Sequence, residues 1–304
     1  MQVGGYKQGS EGISKVCIKI ADVTIALHSN NLEFALGIEG PIQKFLVDER
    51  DPDIRIQTSW DHLLKEDGGR KLFDSGSVWQ LYSKNGSYFF RFASSTLGSL
   101  PYKVACFNRD FTEGEVLLHH PYFHYNQPIY PLEYPLDELL LTNFLALGRG
   151  VEIHGCGVVD SLGRGHLFVG QSGAGKSTTA RLWENEPNIT ILSDDRIILR
   201  KTENVIWMYG TPWHGDAGLA SPARVPLTTI YFLEKGQKNE LIARKPADSI
   251  GHLFACSFPP FYSREGIDFT LAFLEDVAKK VPCYELMFKP DKHVVEFIQE
   301  ERFT

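Results

Sequence analysis

Residues 170–177 match the pattern G-x-x-x-x-G-K-[ST], which is the phosphate-binding loop (P-loop) of many nucleotide-binding proteins. In such a loop the glycines let successive backbone N–H groups point inwards, and the N-terminus of the following helix adds positive potential. Lys176 would reach the β- and γ-phosphates, and the Ser177 hydroxyl would bind Mg²⁺. We therefore predict a site for a nucleoside triphosphate. The residues predicted to bind the nucleotide are Gly170, Gln171, Ser172, Gly173, Ala174, Gly175, Lys176, Ser177 and Thr178.

The segments on either side have the pattern that this loop requires. Residues 166–169 form a short apolar run typical of a buried strand, and residues 178–183 can continue as the first turns of a helix. A glycine-rich turn that binds no phosphate is the alternative. The flanking strand and helix patterns favour the phosphate-binding interpretation.

Two adjacent carboxylates follow the next apolar segment. Residues 189–193 read as a strand, and Asp194, the first acid after it, lies 17 residues beyond Ser177. Asp195 comes next. In a phosphate-binding site one such acid holds Mg²⁺, directly or through water, and the other can accept a proton from an attacking hydroxyl. The alternative is an exposed turn, since Asp-Asp-Arg is common turn chemistry.

Histidine is the remaining residue type that could move a proton near neutral pH. His154 lies 16 residues before Gly170 in a strand-like run, and a lone histidine in such a run is more often structural than catalytic. His119, His120 and His124 form a local cluster without a carboxylate or cysteine at metal-ligand spacing. We interpret these three as loop residues.

Residues 210–216, Gly-Thr-Pro-Trp-His-Gly-Asp, have the composition of a substrate-facing loop, in which Trp213 would be a platform and His214 and Asp216 polar tips. A plain turn explains the same composition equally well. The cations that could steady a transferring phosphate are Arg196, Arg224 and Arg264, and Arg196 could instead form a salt bridge with the acid pair.

Residues from about 151 to 235 resemble the catalytic domain of bacterial HPr kinase/phosphorylase, which shares its fold with ATP-dependent phosphoenolpyruvate carboxykinase. Three segments carry the resemblance, in the family's order and at compatible spacing: residues 153–155, 170–177 and 192–195. The resemblance implies an α/β P-loop kinase domain that uses ATP and Mg²⁺.

The resemblance also implies roles for individual residues. His154 and Asp194 would assist proton transfer from the serine hydroxyl that is phosphorylated. Lys176 would act on the transferring phosphate, while Ser177 and Asp195 would bind the metal ion. The catalytic residues predicted in this way are His154, Lys176 and Asp194, and the predicted metal ligands are Ser177 and Asp195.

Two departures make this chain similar to divergent, HPr-kinase-like proteins. Residues 207–210 read Trp-Met-Tyr-Gly where the family has Glu-x-Arg-Gly, which argues against a reverse phosphorylase reaction and against HPr as the substrate. The first half of the chain also differs from the family's usual N-terminal domain. Some divergent members phosphorylate other hydroxyl groups, including the C-terminal serine of lasso peptides.

Composition narrows the class of protein further. The chain has 304 residues, 43% of them hydrophobic, and a formal net charge of −7, which argues against a general nucleic-acid or membrane-surface binder. Its five cysteines are scattered without a C-x-x-C pair, which favours free thiols in a reducing compartment. We expect a cytoplasmic protein without a signal peptide, and a homo-oligomer is possible.

The first half of the chain reads as a β region. The run 17–20 and the run 23–27 suggest a hairpin, and the runs 78–82 and 88–92 flank Lys-Asn-Gly, the strongest hairpin signal here. Two further runs, 102–107 and 115–119, continue the series. We predict a mainly antiparallel β accessory domain over residues 13–140, preceded by a disordered lead over residues 1–12.

The second half reads as the P-loop domain, residues 141–304. A helix over 135–147 would begin near Pro135 and stop at Gly148, and a second helix is predicted over 266–280. The predicted strands are 151–153, 166–169, 189–192, 197–199, 205–208 and 228–233.

The leading hypothesis is a Mg²⁺- and ATP-dependent kinase that phosphorylates a serine-type hydroxyl of a peptide, protein or small molecule. A transport-type P-loop ATPase is less favoured, because no L-S-G-G-Q signature follows the loop. A nucleotide-sensing protein without phosphotransfer is the third possibility. It is favoured by the missing Glu-x-Arg and disfavoured by the presence of His154 and Asp194.

Overall fold

A computed structural model describes residues 14–29, 35–61, 69–97, 100–119, 122–123 and 128–300. Internal contacts divide the chain into two units, Met1–Leu140 and Leu141–Thr304. Each unit contains a large sheet, so the protein belongs to the mixed α/β class. The predicted disordered lead and the histidines at 120 and 124 lie outside the described residues, whereas His119 is buried at the end of a strand.

The first unit is built on an eight-stranded sheet with the order β1-β2-β3-β8-β7-β6-β5-β4. A short 3₁₀ helix, Gly40–Phe45, lies between β2 and β3. The strands are β1 (Ser14–Ile20), β2 (Val23–Ser29), β3 (Ile54–Asp61), β4 (Arg70–Asp74), β5 (Trp79–Lys84), β6 (Ser87–Phe92), β7 (Lys103–Phe107) and β8 (Glu113–His119).

Both predicted hairpins are confirmed. Ala21 and Asp22 connect β1 to β2 with φ angles of 52° and 57°, and Asn85 and Gly86 connect β5 to β6 with φ angles of 52° and 83°. Two successive positive φ angles define the turn whose twist matches that of the flanking strands, and Asn-Gly adopts it at low cost. The sequence signal at residues 85–86 therefore sets the register of β5 on β6.

The pairing of the strands is only in part the predicted one. Five of the seven pairings described in this sheet are antiparallel, but β3 is parallel to both of its neighbours, β2 and β8. β3 and β4 were not predicted, although Ile54 and Ile56 alternate with Arg55 and Gln57 in the pattern of a half-buried strand. Parallel pairing needs long connections, which sequence patterns do not reveal.

The second unit contains a second eight-stranded sheet, with the order β10-β9-β12-β13-β14-β16-β15 and β11 paired with β9. The six strands predicted for this part of the chain are confirmed, and β15 and β16 are additional. The strands are β9 (Val151–Val159), β10 (Gly165–Val169), β11 (Thr190–Ser193), β12 (Arg196–Thr202), β13 (Val205–Tyr209), β14 (Arg224–Lys235), β15 (Glu240–Ala243) and β16 (Cys283–Phe288).

Five α-helices lie in the described part of the chain. The helices predicted over 135–147, 178–183 and 266–280 are confirmed as α1, α2 and α4, and Gly148, with a φ angle of 89°, follows α1 where a stop was expected. No helix among the described residues is long and apolar enough to cross a membrane. The helices are α1 (Leu136–Leu145), α2 (Lys176–Glu184), α3 (Pro246–Ala255), α4 (Arg264–Lys280) and α5 (His293–Glu300).

The pairings of β9, β12, β13, β14 and β10 close into a ring, because β10 pairs with β14 as well as with β9. β9 is long enough to pair with β12 through residues 151–154 and with β10 through residues 155–159. Gly157 lies where a Cβ would approach the Ile197 side chain to 2.5 Å, so a glycine permits the close packing of these strands.

Strand β10 is buried on both faces. Leu167 and Val169 pack with residues of α3 and α4, whereas Phe168 packs with residues of α2 and α5. His166 is also fully buried, where its Nε2 lies 3.0 Å from Asp160 Oδ2 and its ring stacks on Trp183 of α2 at 5.6 Å. The strand that leads into the glycine-rich loop is therefore held from both sides.

A buried lysine in the first unit makes its stability dependent on pH. Lys103 lies in the core, where its Nζ donates to the Glu133 carbonyl at 3.1 Å and sits 4.7 Å from the Phe92 ring centre. Burial lowers the pKa of Lys103 to about 8, although the carboxylates of Glu133 and Asp137 oppose that shift. Because the folded pKa is below the unfolded one, the unfolded chain binds more protons between these values. This contribution to stability therefore rises with pH.

We predict that Lys103→Met flattens this dependence. Between pH 8 and pH 10 the free energy of unfolding of the wild type should rise, relative to that of the variant, by about 1 kcal/mol per pH unit. Urea denaturation of both proteins at pH 8, 9 and 10 measures the difference in their free energies of unfolding. The cysteines and tyrosines that titrate in the same range contribute equally to both proteins, so their contributions cancel in this difference. Parallel curves for the two proteins would contradict the prediction.

Candidate functional site

The glycine-rich loop leaves the carboxyl end of β10 and enters α2 at Lys176, as the motif predicts. Gly173 and Gly175 have φ angles of 83° and 115°, a region that residues with side chains rarely adopt. A Cβ on Gly175 would also lie 2.7 Å from Cζ of Phe288. The backbone path of the loop therefore depends on glycine at these positions.

Lys176 lies inside the mouth of the loop. Its side chain is buried, and Nζ donates to the carbonyls of Gly170 at 2.7 Å and Gln171 at 3.1 Å. Burial lowers the pKa of Lys176, and the nearby Asp195 opposes that shift. The ammonium group is thus placed among loop atoms, where phosphate oxygens could replace the carbonyls as its partners.

Ser177 and the acid pair converge on Gly215. A Cβ built on Gly215 would lie 3.4 Å from Ser177 Oγ, 2.8 Å from Asp194 Oδ2 and 3.3 Å from Asp195 Cβ. Hydroxyl and carboxylate oxygens are the ligands that Mg²⁺ accepts in nucleotide sites, together with phosphate oxygens and water. Among the described residues no group of three or more His, Cys, Asp or Glu could hold a metal ion. A cation here would therefore need phosphate oxygens as well.

The two acids differ in what surrounds them. Asp194 has no exposed surface, and its carboxylate accepts hydrogen bonds from the backbone N–H groups of Gly215 at 3.0 Å, Ala217 at 3.0 Å and Leu219 at 3.4 Å. These bonds hold residues 215–219 against the end of β11. Asp194 is thus fully buried, with its oxygens hydrogen-bonded to backbone N–H groups. A substrate hydroxyl has no direct access to it, although the resemblance to the kinase family implied a role in proton transfer.

Asp195 is the accessible acid, with 26% of its side chain exposed. Its Oδ1 lies 3.0 Å from Nε2 of His154, and its Oδ2 forms an ion pair with Arg196. Burial alone would raise the pKa of Asp195, but the hydrogen bond from His154 and the charge of Arg196 bring it below its usual value. The hydrogen-bond partner of His154 is therefore Asp195, whereas the resemblance implied a shared role in proton transfer for His154 and Asp194.

His154 is positioned by its backbone as well as by Asp195. Its N–H donates to the carbonyl of Cys256 at 2.7 Å, and its ring lies 6.2 Å from that of Phe258. This attaches the segment that follows α3 to the middle of β9, next to the acid pair. The sequence gives no signal for that contact, since residues 154 and 256 are distant in the chain.

Of the three candidate arginines, Arg196 contacts the acid pair. It pairs with Asp195, its Nε lies 3.5 Å from Glu152 Oε1, and its guanidinium lies 4.3 Å from the centre of the Phe258 ring. Arg224 lies over the Trp207 ring at 4.6 Å, and Arg264 is largely exposed on α4. Arg196 therefore forms the salt bridge considered from the sequence.

The segment 210–219 is a structural loop along much of its length. Trp213 is buried, and its carbonyl accepts from Ser193 Oγ at 2.8 Å, so it is not an exposed platform. His214 and Asp216 are exposed, as expected for polar tips. Gly215 was not singled out from the sequence, although its place between His214 and Asp216 in a turn-like stretch was the available signal.

Comparisons with known proteins add little to this description. No family model matches the sequence, and no curated protein matches it. Among solved structures, the HPr(Ser) kinase/phosphatase from Coxiella burnetii is similar at 14% sequence identity and a TM-score of 0.30, over 49% of this chain and 93% of that chain. At this level the similarity carries no argument about activity. Function is therefore argued from the site itself.

We predict that Asp194 contributes more to stability than Asp195. Asp194→Asn places an NH₂ group among three backbone donors and should lower the free energy of unfolding by about 1–3 kcal/mol, because a buried donor then lacks an acceptor. Asp195→Asn should lower the free energy of unfolding by less, because the Asp195 side chain is partly exposed and Arg196 retains its ion pair with Glu152. Urea denaturation without nucleotide measures both, and an Asp194→Asn protein as stable as the wild type would contradict the prediction.

Proposed function

We propose that the chain is a Mg²⁺-dependent kinase that binds ATP and transfers its γ-phosphate to a serine-type hydroxyl of a peptide, protein or small molecule. The observation that carries the proposal is the convergence of Ser177 and the acid pair on Gly215, together with the His154–Asp195 hydrogen bond. A phosphate-binding loop alone would suit many activities. A histidine–carboxylate pair next to it adds the means to remove a proton from an acceptor.

The loop and Lys176 would hold the triphosphate. α2 begins at Lys176, and a helix N-terminus attracts negative charge and offers backbone N–H groups to phosphate oxygens. Lys176 is already inside the loop, with Nζ on the carbonyls of Gly170 and Gln171. It needs only to exchange those partners for phosphate oxygens.

Ser177 and Asp195 would hold the metal ion predicted from the sequence. Ser177 Oγ and Asp195 Cβ both border the space beside Gly215, and Asp195 is the exposed member of the acid pair. Its Oδ2 would leave Arg196 for the ion, while Oδ1 keeps the hydrogen bond from His154. A Mg²⁺ ion held by these residues would offset the negative charge of the phosphates during transfer. Asp194 then has a positioning role, because its three hydrogen bonds hold the backbone around Gly215.

His154 is the group we assign to proton removal. When its Nε2–H donates to Asp195, the other ring nitrogen, Nδ1, carries a lone pair that can accept the proton of an acceptor hydroxyl. The carboxylate of Asp195 then stabilises the charged imidazole. Asp195 is ionised at neutral pH because Arg196 and His154 lower its pKa. This assignment replaces Asp194 with the His154–Asp195 pair.

Phosphate transfer from γ-labelled ATP with Mg²⁺ tests the proposal. The acceptors are free serine, hydroxyl-bearing peptides, HPr and a cell extract, and Lys176→Ala is the negative control. We expect a labelled acceptor that is absent in the control. Binding of ATP without any labelled acceptor would favour the nucleotide-sensing alternative, and no binding of ATP would refute the proposal.

His154→Gln separates a kinase from a sensor. In a kinase the variant should lose about 10²–10⁴-fold in turnover, the usual effect of removing a general base, while its affinity for ATP stays within about 3-fold. His293→Gln, on the exposed start of α5, is the matched control and should retain turnover. Equal turnover in the two variants would exclude His154 as the proton acceptor.

Gly215→Ala tests the placement of the metal ion. The added methyl group would crowd Ser177 Oγ and the Asp194 carboxylate, so the Mg²⁺ concentration needed for ATP binding should rise by about 10-fold or more. The matched control is Gly251→Ala on α3, where a Cβ meets nothing within 4 Å. Titration of ATP binding with Mg²⁺ measures both variants, and unchanged Mg²⁺ dependence in Gly215→Ala would remove the metal ion from this position.

A further inference from the structure

A cavity of about 490 Å³ adjoins the glycine-rich loop, and His154, Asp194 and Asp195 do not line it. One wall is the loop itself, residues 169–174, and a second is the carboxyl end of β14, residues 232–235. The third is the last turn of α3 with the residue after it, represented by His252, Ala255 and Cys256. All of these residues belong to the second unit.

The strand pairings place the β14 side of the cavity and the acid pair beyond opposite edges of β10. β10, which leads into the loop, pairs with β9 along one edge and with β14 along the other. The acid pair follows β11, which pairs with β9. The β14 side of the cavity is therefore the side away from Asp195, whereas the Cys256 wall accepts the hydrogen bond from the His154 backbone.

A nucleoside triphosphate in this loop has two chemically different ends. The γ-phosphate must face Lys176, Ser177 and the His154–Asp195 pair if it is to be transferred. The nucleoside must then leave the loop in the other direction, towards β14. β10 and β14 are parallel, and ligands of such sheets bind beyond the carboxyl ends of the strands.

We infer that this cavity is the subsite for the nucleoside of the triphosphate. The inference rests on the proposed function, because it uses the direction of phosphate transfer to choose between the two ends of the ligand. It assigns binding of the base and ribose to β14 and α3, outside the phosphate-binding motif.

The chemistry of the cavity suits a nucleoside. The ring of His252 is exposed and meets that of the buried Phe232 edge-on, with ring centres 5.2 Å apart, so one face can stack on a base. Glu234 and Lys235 are exposed at the rim, where a carboxylate can accept hydrogen bonds from ribose hydroxyls or a base amino group. The volume lies within the range of small-molecule sites, about 300–1,000 Å³.

Two variants and two ligands test the inference in the full-length protein. Ala255→Leu adds bulk to an exposed residue of the cavity wall, and Ala247→Leu makes the same change on an exposed position of α3 that does not line the cavity. Binding of Mg·ATP and of Mg·tripolyphosphate is measured by calorimetry. Tripolyphosphate retains the phosphate chain and lacks the nucleoside.

Ala255→Leu should weaken Mg·ATP binding by about 10-fold and leave Mg·tripolyphosphate binding within about 2-fold of the wild type. Ala247→Leu should change neither. His252→Ala, which removes the stacking ring, should reduce the preference for ATP over tripolyphosphate by about 10-fold. This second variant keeps the test valid if Ala255→Leu folds poorly.

Other outcomes would overturn the inference in different ways. If both cavity variants affect the two ligands equally, or neither ligand, the nucleoside does not occupy the cavity. If ATP binding persists in Ala255→Leu while labelling of the acceptor is lost, the cavity belongs to the acceptor. If the wild type binds neither ligand, the proposed function itself fails, and this inference fails with it.

Discussion

The buried carboxylate of Asp194 is the interaction on which the arrangement of the site depends. Three backbone N–H groups of residues 215–219 donate to it, so a segment distant in the sequence is held at the end of β11. Removing that carboxylate from water is unfavourable unless its oxygens are hydrogen-bonded. The same bonds place Gly215 beside Ser177 and Asp195. One structural requirement, satisfying a buried charge, thereby organises the polar groups of the site.

The sheet of the second unit explains why those groups meet at the end of β10. This strand is buried on both faces and paired on both edges, and the glycine-rich loop leaves from its carboxyl end. His154 comes from β9 on one side, and the cavity is formed by β14 on the other. Such a strand has little freedom to move, so the loop is presented by a rigid element between two regions of different chemistry.

Much of the secondary structure follows from local pattern, because turn chemistry and apolar runs act over a few residues. Asn85-Gly86 specifies its hairpin, and Gly148 follows the end of its helix. Local sequence pattern does not predict the elements whose formation depends on tertiary contacts. α3 contains Gly251, which lowers helix propensity, yet Leu253 is fully buried and holds the helix on the sheet. The parallel pairing of β3 could not be predicted, because its partners β2 and β8 are distant in the chain.

The sequence by itself determined the glycine-rich loop between β10 and α2, since the backbone conformation of one strand–loop–helix segment depends on its own glycines. It also indicated that His154 and the acid pair belong with that loop. Only the tertiary structure decided which acid is sealed and which is accessible. Asp194 and Asp195 are adjacent, and their difference arises from residues 215–219, His154 and Arg196 packing around them. Adjacent side chains of one type cannot be distinguished until the surrounding elements bury one of them.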